Sequence, residues 1–225
     1  MAKQHSDEKI LSYNDVILRQ SDLDILDGPH FLNDRIIEFY FAFLTSSHPT
    51  DQILLIPPAV SFWIKECPDP ATLADFLRPL DLPRRKLILL PVNDNTDVEL
   101  AEGGSHWSLL AFYRDADPPL FVHHDSCGGM NRSEARRAYR AVASHTESGA
   151  EYVECPSMPT QVNGYDCGLY VTAVAAVICE WYAGEGAKDS EGLWFSVVGE
   201  TITPSRVSKM RRDLLDLVKG LIAKK

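Results

Sequence analysis

The hydrophobic positions of this chain change period several times, and each change marks an element. From Asn33 to Leu44 the apolar side recurs every three or four positions (Ile36, Ile37, Tyr40, Phe41, Leu44) behind Asn33 and Asp34, a pair suited to capping, which predicts a helix. Pro57 to Lys65 predicts a second helix, opened by prolines that fit a first turn, and Thr72 to Leu77 a short third. Lys86 to Val92 is apolar but for its first residue and Pro91, and predicts a buried strand with an irregular end. His106 to Tyr113 and Leu120 to His124 flank an Asp-Ala-Asp-Pro-Pro turn and predict a hairpin. Ser133 to His145 predicts a helix, with Arg132, Arg136, Arg137 and Arg140 as a solvated basic stripe, and Glu151 to Cys155 a short strand. Cys167 to Ala183 is nearly all apolar, as a helix buried on all sides would be, and Lys209 to Ala223 predicts an amphipathic closing helix. Residues 1 to 9 read as a flexible tail and 10 to 225 as one domain. Helices at both ends of a central run of strands predict an α+β fold.

Composition narrows the class. The 225 residues suffice for a full core without disulfide staples. There are 32 acids against 22 bases, a net charge of -10. That balance argues against gripping phosphate backbones and suits a basic partner. The longest uncharged apolar run, Cys167 to Cys179, falls short of the roughly 20 residues needed to span a bilayer. The start, Met1 to Lys9, has no apolar core of the signal-peptide kind. Five cysteines, an odd number, favour free thiols in a reducing compartment. These features predict a protein without membrane or nucleic-acid partners, in the cytoplasm, the nucleus or both.

Charge is also distributed unevenly. Asn93 to Gly104 carries Asp94, Asp97, Glu99 and Glu102, no base, and a Gly-Gly end. It predicts an irregular, functional loop, a mobile lid hinged at Gly103 and Gly104 whose acids face a basic part of a substrate.

Candidate chemistry sits in three segments. His106 follows that loop, Asp125 ends the second hairpin strand, and Cys167 opens the apolar helix within Gln161-Val162-Asn163-Gly164-Tyr165-Asp166-Cys167-Gly168. Pairing about a turn centred near residue 116 sets His106 opposite residue 126, within one residue of Asp125, so a bulge or asymmetric turn brings the carboxylate to the imidazole. Cys167 at a helix N-terminus feels the positive end of the dipole, and a paired imidazolium stabilises its thiolate further. Asp166 opposes this as a charge but is placed to act as N-cap. Gly164 and Gly168 allow a tight approach to the helix start, and Gln161 can aim its amide at an oxyanion beside the Cys167 N–H. Cys67, Cys155 and Cys179 read as passive core thiols. Adjacent His123 and His124, with Cys127 nearby, point to opposite faces of a strand and do not make a metal site.

Taken together, His106-Trp107-Ser108, Asp125, and Gln161 through Asp166-Cys167-Gly168 before an apolar helix resemble the Ulp/sentrin-specific cysteine proteases. The likeness also takes in Leu11-Ser12-Tyr13, Phe31-Leu32-Asn33-Asp34, Pro91-Val92-Asn93-Asp94-Asn95 and Gly103-Gly104-Ser105-His106-Trp107-Ser108-Leu109-Leu110, nearly the whole chain, and is closest to the small deneddylases. The resemblance implies a papain-like fold of the Ulp type, a central mixed sheet flanked by helices. It implies a thiol protease or isopeptidase with His106, Asp125 and Cys167 as triad and Gln161 at the oxyanion, needing no metal or cofactor. Its substrate would be the ubiquitin-like modifier of the neddylation pathway (Rub), cleaved after its C-terminal Gly-Gly in the precursor and in conjugates such as cullins, by a monomeric enzyme. Phe31, Asp34, Asn93, Asp94 and Trp107 fall in matched motifs and are assigned to substrate binding, Phe31 and Trp107 as the aromatic roof of a narrow tunnel. Phe31 stands where the family usually has Trp, and its competing role is to anchor the first helix in the core. The same triad would also serve a SUMO- or ubiquitin-directed protease or an acetyl transferase. From a different class, a catalytically silent module that binds ubiquitin-like proteins would not need all four catalytic residue types.

Overall fold

A computed structural model of the chain describes residues 7–100, 103–146, 149–184 and 193–224. The centre is a mixed five-stranded sheet in the order β3-β4-β5-β6-β7. Its strands are β3 (Ile53–Leu55), β4 (Leu87–Asn93), β5 (Trp107–Tyr113), β6 (Leu120–His124) and β7 (Glu151–Glu154). The two outer pairings, β3 with β4 and β6 with β7, are parallel; β5 runs antiparallel to both of its neighbours, β4 and β6.

The middle strands are buried on both faces, which is why they read as continuous apolar runs instead of alternating. Leu87, Leu89, Leu109, Ala111 and Val122 share one core with α2 (Asp34–Ser47), α6 (Cys167–Ala183) and α8 (Pro204–Ile222). Ile88, Leu90, Val92, Leu110, Phe112 and Phe121 share the other with α3 (Pro58–Glu66), α4 (Pro70–Leu77) and α5 (Arg132–Ala143). Each such side chain contributes about 1.5–3 kcal/mol by leaving water. The helix α6 runs through the first core, and all but one of the residues from Cys167 to Cys179 are buried.

Three features depart from the expectations. The start of the chain is structured: β1 (Lys9–Tyr13) pairs with β2 (Val16–Arg19), and the Asp7 carboxylate accepts hydrogen bonds from the Ser21 N–H and hydroxyl. The expected tail is therefore ordered from Asp7, and residues 1–6 lie outside the described residues. The helix α1 (Gln20–Asp27) follows, and α7 (Phe195–Thr201) precedes α8. The third departure is the Arg stripe of α5, which is largely engaged. Arg137 pairs with Glu66 and Glu134, Arg132 with Glu154, and Arg136 lies over the Tyr152 ring.

Candidate active site

The β5–β6 hairpin places the first two catalytic candidates. Leu109 pairs with His124 and Tyr113 with Leu120, one residue off the expected register. That shift makes positions 106 and 125 diagonal neighbours on one face just past the last rung, so no bulge is needed. His106 Nε2 and Asp125 Oδ1 lie 2.7 Å apart, both side chains buried. The other hydrogen bonds of Asp125 are equally fixed: Oδ1 accepts from the Cys127 N–H and Oδ2 from the Asn131 N–H, each at 2.8 Å. Burial alone would raise this carboxyl, but the His106 bond and charge and these two N–H groups outweigh it and hold it below the ordinary value.

The helix α6 presents Cys167 at its first residue, where backbone N–H groups have no intrahelical acceptor. With His106 Nε2 committed to Asp125, Nδ1 is the nitrogen left for the thiol. Burial disfavours a charged imidazole, yet hydrogen bonds and charge from Asp125 and Cys167 overcome it and raise His106 to about 10. The imidazolium therefore persists through the neutral range, as a thiolate–imidazolium pair requires.

Gln161 is brought beside the triad by its backbone N–H, which donates to Ser126 O at 2.8 Å. Its Oε1 accepts from the Ser126 hydroxyl at 2.7 Å, and its Nε2 donates to Asn163 O at 2.7 Å, which leaves one amide N–H uncommitted. Asn131, fully buried, binds the carbonyls of Val92 and His106 through Nδ2, each at 3.1 Å, and so ties the histidine to β4.

Beyond the triad, a cleft of about 390 Å³ is lined by Phe31, Asp34, Asn93 and Trp107 together with Gly103, Gly104 and Ser105. Four of the five expected substrate-binding residues thus meet at one groove. Phe31 is 51% exposed and is no core anchor. Trp107 is buried, and its indole N–H donates to Leu32 O at 3.1 Å, holding the Phe31 segment over β5. Leu32 in turn packs so closely on Gly168 that a Cβ there would lie 2.8 Å from the leucine Cβ. Gly168 is thus required by close approach, whereas a Cβ at Gly164 would meet nothing.

Asp94 is a correction. Its Oδ1 accepts from the N–H groups of Ser105 and His106 and its Oδ2 from the Ser105 hydroxyl, so it closes the loop onto the histidine instead of facing the cleft. Gly104 adopts φ +87, and a Cβ there would lie 1.9 Å from Asn93 Oδ1. The expected hinge is therefore also a close approach. Between these ends, the side chains of Asn93, Asn95 and Asp97 each accept from a backbone N–H two residues on, giving the loop a folded conformation. Glu102 lies outside the described residues. Asp166 is a second correction: it makes no side-chain cap, because Arg211 takes one oxygen at 2.8 Å and Asn163 Nδ2 the other at 2.8 Å.

The remaining thiols differ from Cys167. All five cysteines are unbridged, and burial pushes Cys155 up and Cys179 to about 12, which makes both inert. His123 bonds Glu154 and Ser108, while His124 accepts from the Trp194 indole.

The chain is 51% identical over 224 residues to NEDD8-specific protease 1 of Arabidopsis thaliana, covering 99% of this chain and 98% of that protein. The chain belongs to the Ulp/sentrin-specific cysteine protease family. Sentrin-specific protease 8 of Homo sapiens, another family member, is 35% identical over 224 residues, covering 97% of this chain and all of the human protein (100%). No family model matches the chain. Among solved structures, a de-sumoylating protease superposes with a TM-score of 0.68 at 19% identity, covering 96% of this chain and 92% of the other. The C-terminal Ulp1 protease domain, solved in complex with Smt3, the yeast ortholog of SUMO, gives 0.64 at 19%, covering 97% and 90%. At that identity the two structures establish the Ulp-type fold, the mixed sheet with helices on both faces.

The sequence motifs pointed to His106, Asp125, Cys167, Gln161 and four of the residues that line the cleft. They did not point to Ser126, Asn131, Lys65 or Arg211. Only Ser126 and Asn131 had a local cue, lying one and six residues after Asp125.

Proposed function

We propose that this protein is a thiol protease and isopeptidase that cleaves after the C-terminal Gly-Gly of the neddylation modifier (NEDD8, or Rub), maturing its precursor and removing it from conjugates. The observation that carries this reading is the His106–Asp125 pair at 2.7 Å, with His106 hydrogen-bonded to Cys167 and flanked in the chain by Ser105 and Trp107, which line the cleft together with Phe31. The relatives named for NEDD8 support the choice of modifier, since they match over the whole chain.

On this reading each group has a task. The Cys167 thiolate attacks the carbonyl carbon of the terminal glycine. The Cys167 N–H and the uncommitted N–H of Gln161 receive the oxyanion. His106, protonated at Nδ1, delivers that proton to the leaving amine as the C–N bond breaks, leaving a thioester on Sγ. His106 then takes one proton from water, whose oxygen attacks the thioester; the C–S bond breaks, the modifier leaves as its carboxylate with the second water proton passing to solvent, and the thiolate–imidazolium pair is restored. Asp125 holds the ring's orientation and stabilises its charge throughout.

All four groups come from one chain, so a monomer suffices. Cullin conjugates are the substrates we expect, in the cytoplasm, the nucleus or both, without nucleic acid. The test uses modifiers carrying a C-terminal electrophile. The NEDD8 probe should form one adduct that Cys167→Ala abolishes. Equal labelling by a SUMO probe, or labelling of the variant, would overturn the assignment.

A further inference from the structure

A connection between distant parts of the chain that the reaction above leaves unused is made by Arg211, on α8. Its side chain is 12% exposed. One terminal nitrogen donates to the carbonyls of Ile25 and Gly28 at 2.9 and 3.0 Å. The other donates to His30 O at 2.9 Å and to Asp166 Oδ1 at 2.8 Å. The guanidinium also lies 5.6 Å from the centre of the Tyr165 ring. One cation thus grips the segment that ends in Phe31 and the residue immediately before the nucleophile. A planar fork with five donors can do this, and an ammonium cannot.

We propose that Arg211 is a positioning residue of the active site: it cancels the charge of Asp166 at the foot of the nucleophile helix and locks the Phe31 segment against that helix. The proposal rests on Cys167 being the nucleophile of the reaction above. Two observations support the pairing of roles. A carboxylate one residue before Cys167 works against a thiolate, so a matching cation is required if the N-terminus of α6 is to favour one. The segment held by Arg211 leads directly to Leu32, which packs on Gly168 with no room for a Cβ. Roof and nucleophile helix therefore share one clamp. The charged and titratable groups about the thiol are His106 with Asp125 on the hairpin side and Asp166 with Arg211 on the α8 side. Tyr165 stacks near the cation, and Tyr170, one turn into α6, is raised by burial and by the Asp166 charge.

The experiment follows the alkylation of Cys167 by iodoacetamide against pH, read on the Cys167 peptide by mass spectrometry, alongside steady-state cleavage of a NEDD8 fluorogenic substrate. Arg211→Met should move the alkylation midpoint to higher pH by about one unit, which slows the reaction about tenfold at a pH well below both midpoints. Adding Asp166→Asn should restore the midpoint. Asp166→Asn alone keeps the Arg211 carbonyl bonds and should move the midpoint to lower pH, a reading available even if Arg211→Met folds poorly. Arg211→Lys keeps charge without the fork, so it should hold the midpoint and raise KM severalfold. Unmoved midpoints in Arg211→Met or Asp166→Asn, or failure of the double variant to restore, overturn the charge role. An unchanged KM in Arg211→Lys overturns the clamp. If the unaltered protein fails to react with the NEDD8 probe, the functional reading falls, while the alkylation series still decides the role of Arg211.

Discussion

At the residue scale, the Gln161 amide proposed as oxyanion donor is oriented by its neighbours. Asn163 O can only accept, so it requires the nitrogen end of the Gln161 amide, and that orientation turns Oε1 toward Ser126. The Ser126 hydroxyl must then donate, and it is buried where water does not compete. Ser126 thus acts through Gln161. Removing Gln161 should cost about 10²–10³ in kcat, the usual range for one oxyanion donor. Ser126→Ala, which lets the amide turn, should cost about tenfold, the scale of one oriented hydrogen bond. If Ser126 works only through Gln161, the double variant should be no slower than Gln161→Ala alone. Steady-state kinetics on the three variants checks this, and additive losses would refute it. A local motif identifies Gln161 but cannot show this partner, because Ser126 lies 35 residues earlier on another element.

At the scale of elements, the long apolar patterns were the legible part. The helix α6 runs over the expected Cys167–Ala183, and α2, α3, β4 and β5 begin within about a residue of where the periodicity sets them. Among the short elements α4, β6 and β7 were legible, whereas β1, β2, β3, α1 and α7 were not. The strand β3 has three residues, too few for a period, and it is made a strand by its parallel pairing with β4. The β1–β2 hairpin did leave a cue, Asn14-Asp15, whose positive φ values of 44 and 69 suit a two-residue turn. Lys65 shows the same limit for the site. It reads as the last residue of an amphipathic helix, yet it is buried, binding Asn93 O at 2.8 Å and Asn95 O at 2.6 Å. Glu66 and Glu134 lie 3.1 Å from its Nζ, and Arg137 completes the cluster. This network anchors the end of β4 from which the acidic loop departs. Lys65→Met would leave two nearly buried carboxylates short of a cation, and should lower stability by about 3 kcal/mol in urea denaturation while raising KM for the modifier. A loss below about 1 kcal/mol would show that the cluster does not anchor the loop.

At the scale of the whole molecule, the net charge of -10 has a structural part and a part free to act at a distance. Asp94, Asp22 and Asp166 are engaged internally, Asp22 by Arg35 and Asn33. On the loop before His106, Asp97 and Glu99 are exposed, and Val98 and Leu100 beside them are 66% and 56% exposed. That arrangement suits a partner offering basic groups around an apolar patch, with the acids raising the encounter rate and the apolar residues holding the complex. Exposed charges act through solvent, so their contribution should fade as salt shortens the screening length from about 10 Å at 0.1 M toward 3 Å at 1 M. Asp94 should behave differently, since it fixes the backbone of His106 from within. Asp97→Asn with Glu99→Gln should therefore flatten the salt dependence of kcat/KM and leave kcat near that of the parent. Asp94→Asn should lower kcat at every salt concentration alike, because the loss is of hydrogen bonds that salt does not reach. Measuring both variants with a NEDD8 substrate between about 0.05 and 0.5 M salt separates the two roles. An unchanged slope in the first variant would remove electrostatic steering from this loop, and a salt-dependent loss in the second would return Asp94 to the substrate-facing role expected of it from the sequence.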